Sequence, residues 1–135
     1  MKRKDGRALA KSTLEALGVF ELVESHEPDS FRGAAFATVH SKSLGIVQDA
    51  RDDFSAPVEI WVSIYVKRPA GQGAAVEDAL DELVRVSMRA LYAAFYDQAA
   101  NLRIGPSESG YPPSPIDGKP YRIERFAVRF DDDEE

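Results

Sequence analysis

The chain has 135 residues, of which 44% are hydrophobic and 30% charged, and its formal net charge is −6. This length and balance predict one globular domain rather than a disordered chain. The absence of cysteine excludes disulfides, thiolate nucleophiles and cysteine-based metal sites, and the two histidines are too few for a three-histidine metal site.

Much of the negative charge lies at one end. The five residues from Asp131 to Glu135 are all acidic and leave a net charge of −1 on the other 130. Because like charges repel and stay solvated, we predict a single domain over residues 1–130 and a disordered acidic tail over 131–135. No apolar run approaches the ~18 residues of a membrane span, and no apolar stretch follows the basic start as in a signal peptide. We therefore expect no membrane partner and a cytoplasmic place of synthesis.

The first predicted elements are a short helix and a strand. Leucines near one face predict a helix over Arg7–Leu17, and Gly18 supplies its stop. Val19–Val23 is a short apolar stretch of ambiguous type. A weak alternation then predicts a strand over Phe36–Ser41.

Val58–Lys67 is the clearest strand of the chain. β-Branched residues alternate strictly from Val58 to Val66, which predicts a sheet with one covered face. The side chains of Trp61 and Tyr65 point to the opposite face, which the same pattern predicts to be solvated.

A long helix is predicted over Ala75–Ala100, where apolar residues recur at helical spacing. Asp81 and Arg85 are placed for an i,i+4 ion pair on it. A Gly/Pro/Ser-rich loop follows over Arg103–Pro120, and a last strand over Tyr121–Phe130. Because Tyr121 and Ile123 are out of phase with the later apolar residues, we predict a bulge in this strand near Glu124–Arg125.

These elements predict an α+β fold. A helix with one apolar stripe and an antiparallel sheet with one apolar face bury each other. We expect a two-layer sandwich of a mostly antiparallel sheet, with one long helix and the shorter N-terminal helix packed on one face.

The motifs do not supply a catalytic set. Gly71–Val76 follows a strand and opens a helix, as a dinucleotide-binding loop does, but Val76 stands where the third glycine belongs. The sequence also shows no nucleophile with a matching base, no cofactor motif and no spacing typical of metal ligands. We expect no catalytic residue, no cofactor and no metal site.

Aromatic residues on surfaces predicted to be polar indicate protein contacts instead. Trp61 and Tyr65 share one face of a strand, and Tyr92 and Tyr96 lie one helical turn apart, beside Arg85 and Arg89. Aromatic residues and arginine are enriched where proteins meet. The predicted subunit or partner interface comprises Trp61, Tyr65, Arg85, Arg89, Tyr92 and Tyr96. The long loop, with Tyr111, Ile116 and Lys119, is the predicted docking loop.

The order of elements resembles that of the tail terminator, or minor tail, proteins of long-tailed bacteriophages with non-contractile tails. The resemblance rests on the opening helix, the strands up to Val58–Lys67, the Gly-containing turn, the long helix and the closing strand, and it covers most of the chain. It implies a ring of six subunits that caps the tail tube protein and meets head-completion or connector proteins in the virion. It also implies that DNA passes through without specific binding and that no reaction takes place.

Two alternatives remain open from the sequence. One is another head–tail connector or neck protein, which composition and periodicity do not separate from a terminator. The other is a small-molecule-binding α+β module, for which Gly71–Val76 with Arg68 is a candidate phosphate cradle.

Overall fold

The computed structural model describes residues 1–26, 33–41, 57–67, 73–106 and 121–131. These residues form two helices and five strands. In chain order they are α1 (Arg3–Leu17), β1 (Leu22–Glu24), β2 (Ala35–Ser41), β3 (Pro57–Lys67), α2 (Gly73–Phe95), β4 (Ala100–Pro106) and β5 (Tyr121–Asp131).

The strands form one mixed sheet in the order β1-β2-β3-β5-β4. β1 pairs parallel with β2, and the β2–β3, β3–β5 and β5–β4 pairs are antiparallel. Both helices contact this sheet, α1 over β1, β2 and β3 and α2 over β3, β5 and β4. The predicted α+β fold with a mostly antiparallel sheet is confirmed.

The main core lies between the helices and one face of the sheet, which we call the helix face. The alternating residues predicted for β3 are all buried there, together with Phe126, Val128 and Phe130 of β5. α2 presents the predicted stripe to this core, with Val76, Leu80, Leu91 and Phe95 buried.

Helix α1 begins at Arg3, one turn earlier than the predicted Arg7, and it ends at Leu17 as predicted. Gly6 lies inside the helix and donates its backbone N–H to the Lys2 carbonyl at 2.9 Å. Gly18 adopts a left-handed conformation with φ of 70° and donates its N–H to the Glu15 carbonyl. Glycine takes this conformation without the steric penalty of a side chain, which is why the helix ends there.

The region after α2 differs from the prediction. The helix ends at Phe95 rather than Ala100, and Ala100–Pro106 forms strand β4, so the predicted loop loses Arg103–Pro106 to the sheet. Leu102 and Ile104 of β4 pack against the main core. β4 exists because it pairs with β5, and a segment this short carries little alternation of its own.

The predicted bulge in β5 is wrong. β5 pairs with β3 over eleven consecutive positions without a shift, from Pro57–Asp131 to Lys67–Tyr121. The irregularity lies instead in the β4–β5 pairing, between Ala100 and Arg103. Tyr121 and Ile123 are out of phase with Phe126 because they lie on the opposite face of the sheet, which we call the outer face.

Asp131 belongs to β5 rather than to the predicted tail, whose other residues lie outside the described residues.

Candidate interaction surfaces

Tyr92 and Tyr96 form an exposed aromatic pair at the C-terminal end of α2, where Tyr96 directly follows the last helical residue, Phe95. Their side chains are 50% and 63% exposed, and their ring centroids lie 5.6 Å apart. Residues four apart on a helix are surface neighbours, so the two rings make one continuous apolar area. The prediction that both tyrosines face solvent in the single chain is confirmed.

A pocket adjoins this pair at the junction of α2 and β4. Met88, Arg89, Tyr92 and Ile104 line an open space of about 300 Å³. Among the residues that the structure describes, Arg89 forms no ion pair. We call Tyr92, Tyr96 and this pocket the tyrosine patch. It combines aromatic, aliphatic and arginine side chains, the composition typical of interface centres.

Arg85 is engaged within its own helix, but with a different partner from the one predicted. Its guanidinium donates three hydrogen bonds to the Glu82 carboxylate rather than to Asp81, two through Nη2 at 2.7 and 2.8 Å and one through Nε at 3.2 Å. These hydrogen bonds, with the charge of Glu82, raise the pKa of the Arg85 guanidinium above its ordinary value. An i,i+3 pair satisfies this arginine one turn before the tyrosine patch.

Tyr65 does not face solvent, and that expectation is wrong. Its side chain is 2% exposed and stacks on Phe36 of β2, with ring centroids 4.4 Å apart and an angle of 1° between the planes. Tyr65 pairs with Phe36 on one side and with Ile123 on the other, and Tyr121 packs at the margin. The outer face therefore carries a small core of its own, which we call the outer cluster.

Trp61, also predicted for an interface, is half-buried in a polar network beside the outer cluster. Its Nε1 donates to Glu59 Oε2 at 2.7 Å, and Glu59 Oε1 accepts from Arg129 Nε at 2.7 Å. The His40 ring meets the indole edge-on, with 5.6 Å between the ring centroids. The polar group of Trp61 is thus satisfied within the chain.

Arg125 completes this network, and the sequence analysis missed it. Its side chain is 6% exposed, its Cζ lies 4.7 Å from the Trp61 ring centroid, and its Nε donates to Ser63 Oγ at 2.9 Å. An arginine stacked on tryptophan is a cation–π pair. The contact depends on the register of β5 against β3, where Arg125 stands opposite Ser63, and the local sequence does not reveal that register.

The other predicted site residues lie outside the described residues. This holds for Tyr111, Ile116 and Lys119 of the docking loop, and for Arg68 and the first two residues of the candidate phosphate cradle. The remainder of that cradle, Gly73–Val76, forms the first turn of α2.

The described part of the chain contains no group of three His, Asp or Glu side chains placed to hold a metal ion. None of its helices is long and apolar enough to cross a bilayer. In comparisons with known proteins, no family model matches the chain, and no curated protein matches it significantly.

Proposed function

We propose that this chain is the subunit of a homo-oligomeric ring, of six copies, that caps a phage tail tube. The ring stops polymerisation of the tube protein and provides the surface on which head-completion proteins join. Its place is the neck of the virion, and DNA passes through it without specific binding.

The tyrosine patch is the observation that supports this proposal. Two neighbouring tyrosines, each at least half exposed, lie next to a pocket whose arginine forms no ion pair with the residues that the structure describes. Tyrosine and arginine anchors of this kind dominate the energetics of many protein interfaces. A ring gives every subunit two neighbours and covers such a surface in each copy.

The fold supports the proposal in a second way. The order of α1, the strands up to β3, the long helix α2 and the closing strand β5 is the order on which the resemblance to tail terminators rests, with β4 added between α2 and β5. Tyr65 and Trp61, which lie outside the main core, are engaged within the chain by the outer cluster and the Trp61 network. This arrangement suits a structural subunit.

Tube length is the measurement that tests the function. The cognate tube subunit is expressed with and without this chain, and the products are imaged by electron microscopy. We expect short tubes of uniform length with added density at one end, and an end-on view of that density gives the number of subunits.

The control is the same co-expression with a double variant of the tyrosine patch, Tyr92→Ser with Tyr96→Ser, which we expect to leave tubes long. Tubes that stay long and bare with the wild-type chain contradict the proposal. Binding of the wild-type chain to a purified connector rather than to tubes would assign it to the head side of the neck.

A further inference from the structure

Helix α1 carries a basic side in a chain whose net charge is negative. The helix has four basic and two acidic residues, whereas the whole chain has a formal net charge of −6. Lys4, Arg7 and Lys11 are spaced by three and four residues, so they are neighbours along one side of the helix. Grouped in this way, they produce a local positive potential on an acidic protein.

These three side chains line a pocket between α1 and the end of β1. Ala8 and Ser25 complete the lining, and the volume is about 260 Å³. Ala8 has only a methyl group, which leaves space between the longer side chains around it. Ser25 directly follows β1 and adds a hydroxyl group that can donate a hydrogen bond. We call these five residues the basic pocket.

The basic side chains of this pocket are only weakly neutralised. Among the residues that the structure describes, Lys4 and Arg7 form no ion pair. Lys11 lies 3.9 Å from Glu15 in an exposed i,i+4 contact, and exposed pairs of this kind contribute little. The pocket therefore keeps most of its positive charge.

The acidic residue that precedes Ser25 lies on the other face of the sheet. Glu24 stands opposite Thr38 of β2 on the outer face, whereas its neighbour Val23 is buried in the main core under the helices. The Glu24 carboxylate also lies 3.4 Å from His26 Nε2. It is therefore not placed to fill the basic pocket.

Arg7 has a polar group that the chain leaves unsatisfied. Its Nε is out of contact with solvent and has no hydrogen-bond acceptor among the residues that the structure describes. Buried polar atoms are nearly always hydrogen-bonded, and an unpaired donor on a charged group is destabilising. An anion that contacts this guanidinium supplies the acceptor that the described chain does not.

We propose that the basic pocket binds a phosphate group. The Arg7 guanidinium turns toward the phosphate and donates its Nε–H and one Nη–H to two oxygens, the bidentate contact that arginine makes with phosphates. Lys4 and Lys11 offset the negative charge, and the Ser25 hydroxyl donates a further hydrogen bond. The site goes beyond the proposed function and does not depend on a ring.

The phosphate comes from one of two sources, free phosphate or the backbone of DNA, because both present the same oxyanion. Contacts with a DNA backbone carry no base-sequence information. The pocket is therefore compatible with DNA that passes without specific binding, and the experiment has one arm for each source.

Titration of the full chain with inorganic phosphate tests the site. Phosphate replaces chloride at constant ionic strength and pH, and ¹⁵N–¹H spectra follow the Arg7 Nε–H signal and the Ser25 amide. We expect both signals to shift and to reach saturation, while the amide signals of α2 stay in place.

Arg7→Gln removes the guanidinium and should weaken phosphate binding by about tenfold, because hydrogen bonds to charged groups are among the stronger ones. Arg85→Gln is the matched control, since it removes the same charge from an exposed pair on α2, and it should bind as the wild type does. Lys4→Gln changes an exposed side chain and provides a second weakened variant if Arg7→Gln does not fold. Affinity that both pocket variants leave unchanged overturns the inference.

A short DNA duplex of mixed sequence distinguishes the two sources. If the pocket contacts the DNA backbone, the duplex shifts the same signals, its affinity falls as salt rises, and Arg7→Gln reduces the slope of log K against log salt by about 1. If the ligand is free phosphate, the duplex does not displace it. A chain in which neither probe shifts the Arg7 signal lacks the site. The titrations involve no tube protein, so their failure leaves the proposed function standing, and failure of tube arrest leaves the site standing.

Discussion

Gly6 of helix α1 lies directly against the ring of Phe130 in strand β5. A Cβ atom on Gly6 would stand 2.7 Å from Phe130 Cζ and 2.9 Å from Ile60 Cδ1, closer than non-bonded carbon atoms approach. Phe130 is fully buried and packs on Phe95 of α2, so its ring has little room to move. The missing side chain of Gly6 lets α1 sit close to the sheet.

We expect Gly6→Ala to destabilise the protein. Alanine is favoured over glycine within a helix by about 1 kcal/mol, but overpacking a close contact costs about 1–3 kcal/mol. Urea unfolding should show a lower midpoint than the wild type. Gly105→Ala is the matched control, because a Cβ there meets no atom within 4 Å, and it should leave the midpoint nearly unchanged. A Gly6→Ala variant more stable than the wild type contradicts the close packing.

The Trp61–Arg125 stack should be measurable as a coupling energy. In a double-mutant cycle of Trp61→Phe and Arg125→Met, we expect a coupling of about 0.5–2 kcal/mol, as for a partly desolvated cation–π pair. The free energies of unfolding of the four proteins give the value. Arg125→Lys retains the charge but loses the planar stack and the Nε hydrogen bond to Ser63, so it should also be less stable than the wild type. Additive effects in the cycle would show that the two side chains do not interact.

Removing the tyrosine patch should abolish self-association without unfolding the subunit. Tyr92→Ser with Tyr96→Ser replaces side chains that are at least half exposed, so we expect the free energy of unfolding to change by less than about 1 kcal/mol. Sedimentation velocity should show the variant as a monomer under conditions where the wild type is a ring.

Ala79→Ser with Ala93→Ser introduces serines at exposed positions of the same helix and serves as the control for helix propensity. This control should assemble as the wild type does. A tyrosine variant that assembles normally removes the patch from the subunit contact.

Tyr121 should make the protein less stable in alkaline solution. Burial, followed by the nearby charge of Glu21, raises the pKa of the Tyr121 phenol above its ordinary value of 10.0. In alkaline solution the folded state therefore retains a proton that the unfolded state has already lost. The free energy of unfolding falls as the pH rises from the ordinary pKa through the raised pKa of the folded state. The same hydroxyl donates to the Gly33 carbonyl at 2.7 Å, a bond that the phenolate cannot make.

The pH dependence is tested by urea unfolding of the wild type and Tyr121→Phe at about pH 8 and about pH 10.5. The phenylalanine variant should be the less stable protein at the lower pH, and the difference should shrink at the higher pH. Tyr92→Phe controls for the loss of one phenol group. A difference that stays constant with pH would place the origin of the alkaline sensitivity at another group.

The elements that could be predicted were those whose pattern is local. β3 has strict alternation over ten residues, and α2 keeps its apolar stripe over several turns, so both were found within two residues except at the end of α2. The exposure of Tyr92 and Tyr96 follows from the same helical period. These features need no knowledge of which strand lies beside which.

The errors on the outer face of the sheet have one common cause, which is the assumption that this face is solvated. Under that assumption Tyr65 becomes a surface residue, and Tyr121 and Ile123 of β5 require a bulge to point inward. In the structure Tyr65 and Ile123 are buried on the outer face, where the outer cluster forms. Only the register of β2, β3 and β5 reveals that these side chains meet, and register is a long-range property.

The full-length pairing of β3 with β5 has a consequence for synthesis. β3 ends at Lys67 and its partner begins at Tyr121, so more than fifty residues must leave the ribosome before the two strands can join. Until then the nascent chain presents one whole edge of its central, most apolar strand, and such an edge is a template for association with other chains. A ribosome that stalls before β5 should therefore release a fragment that chaperones must hold or proteases must remove.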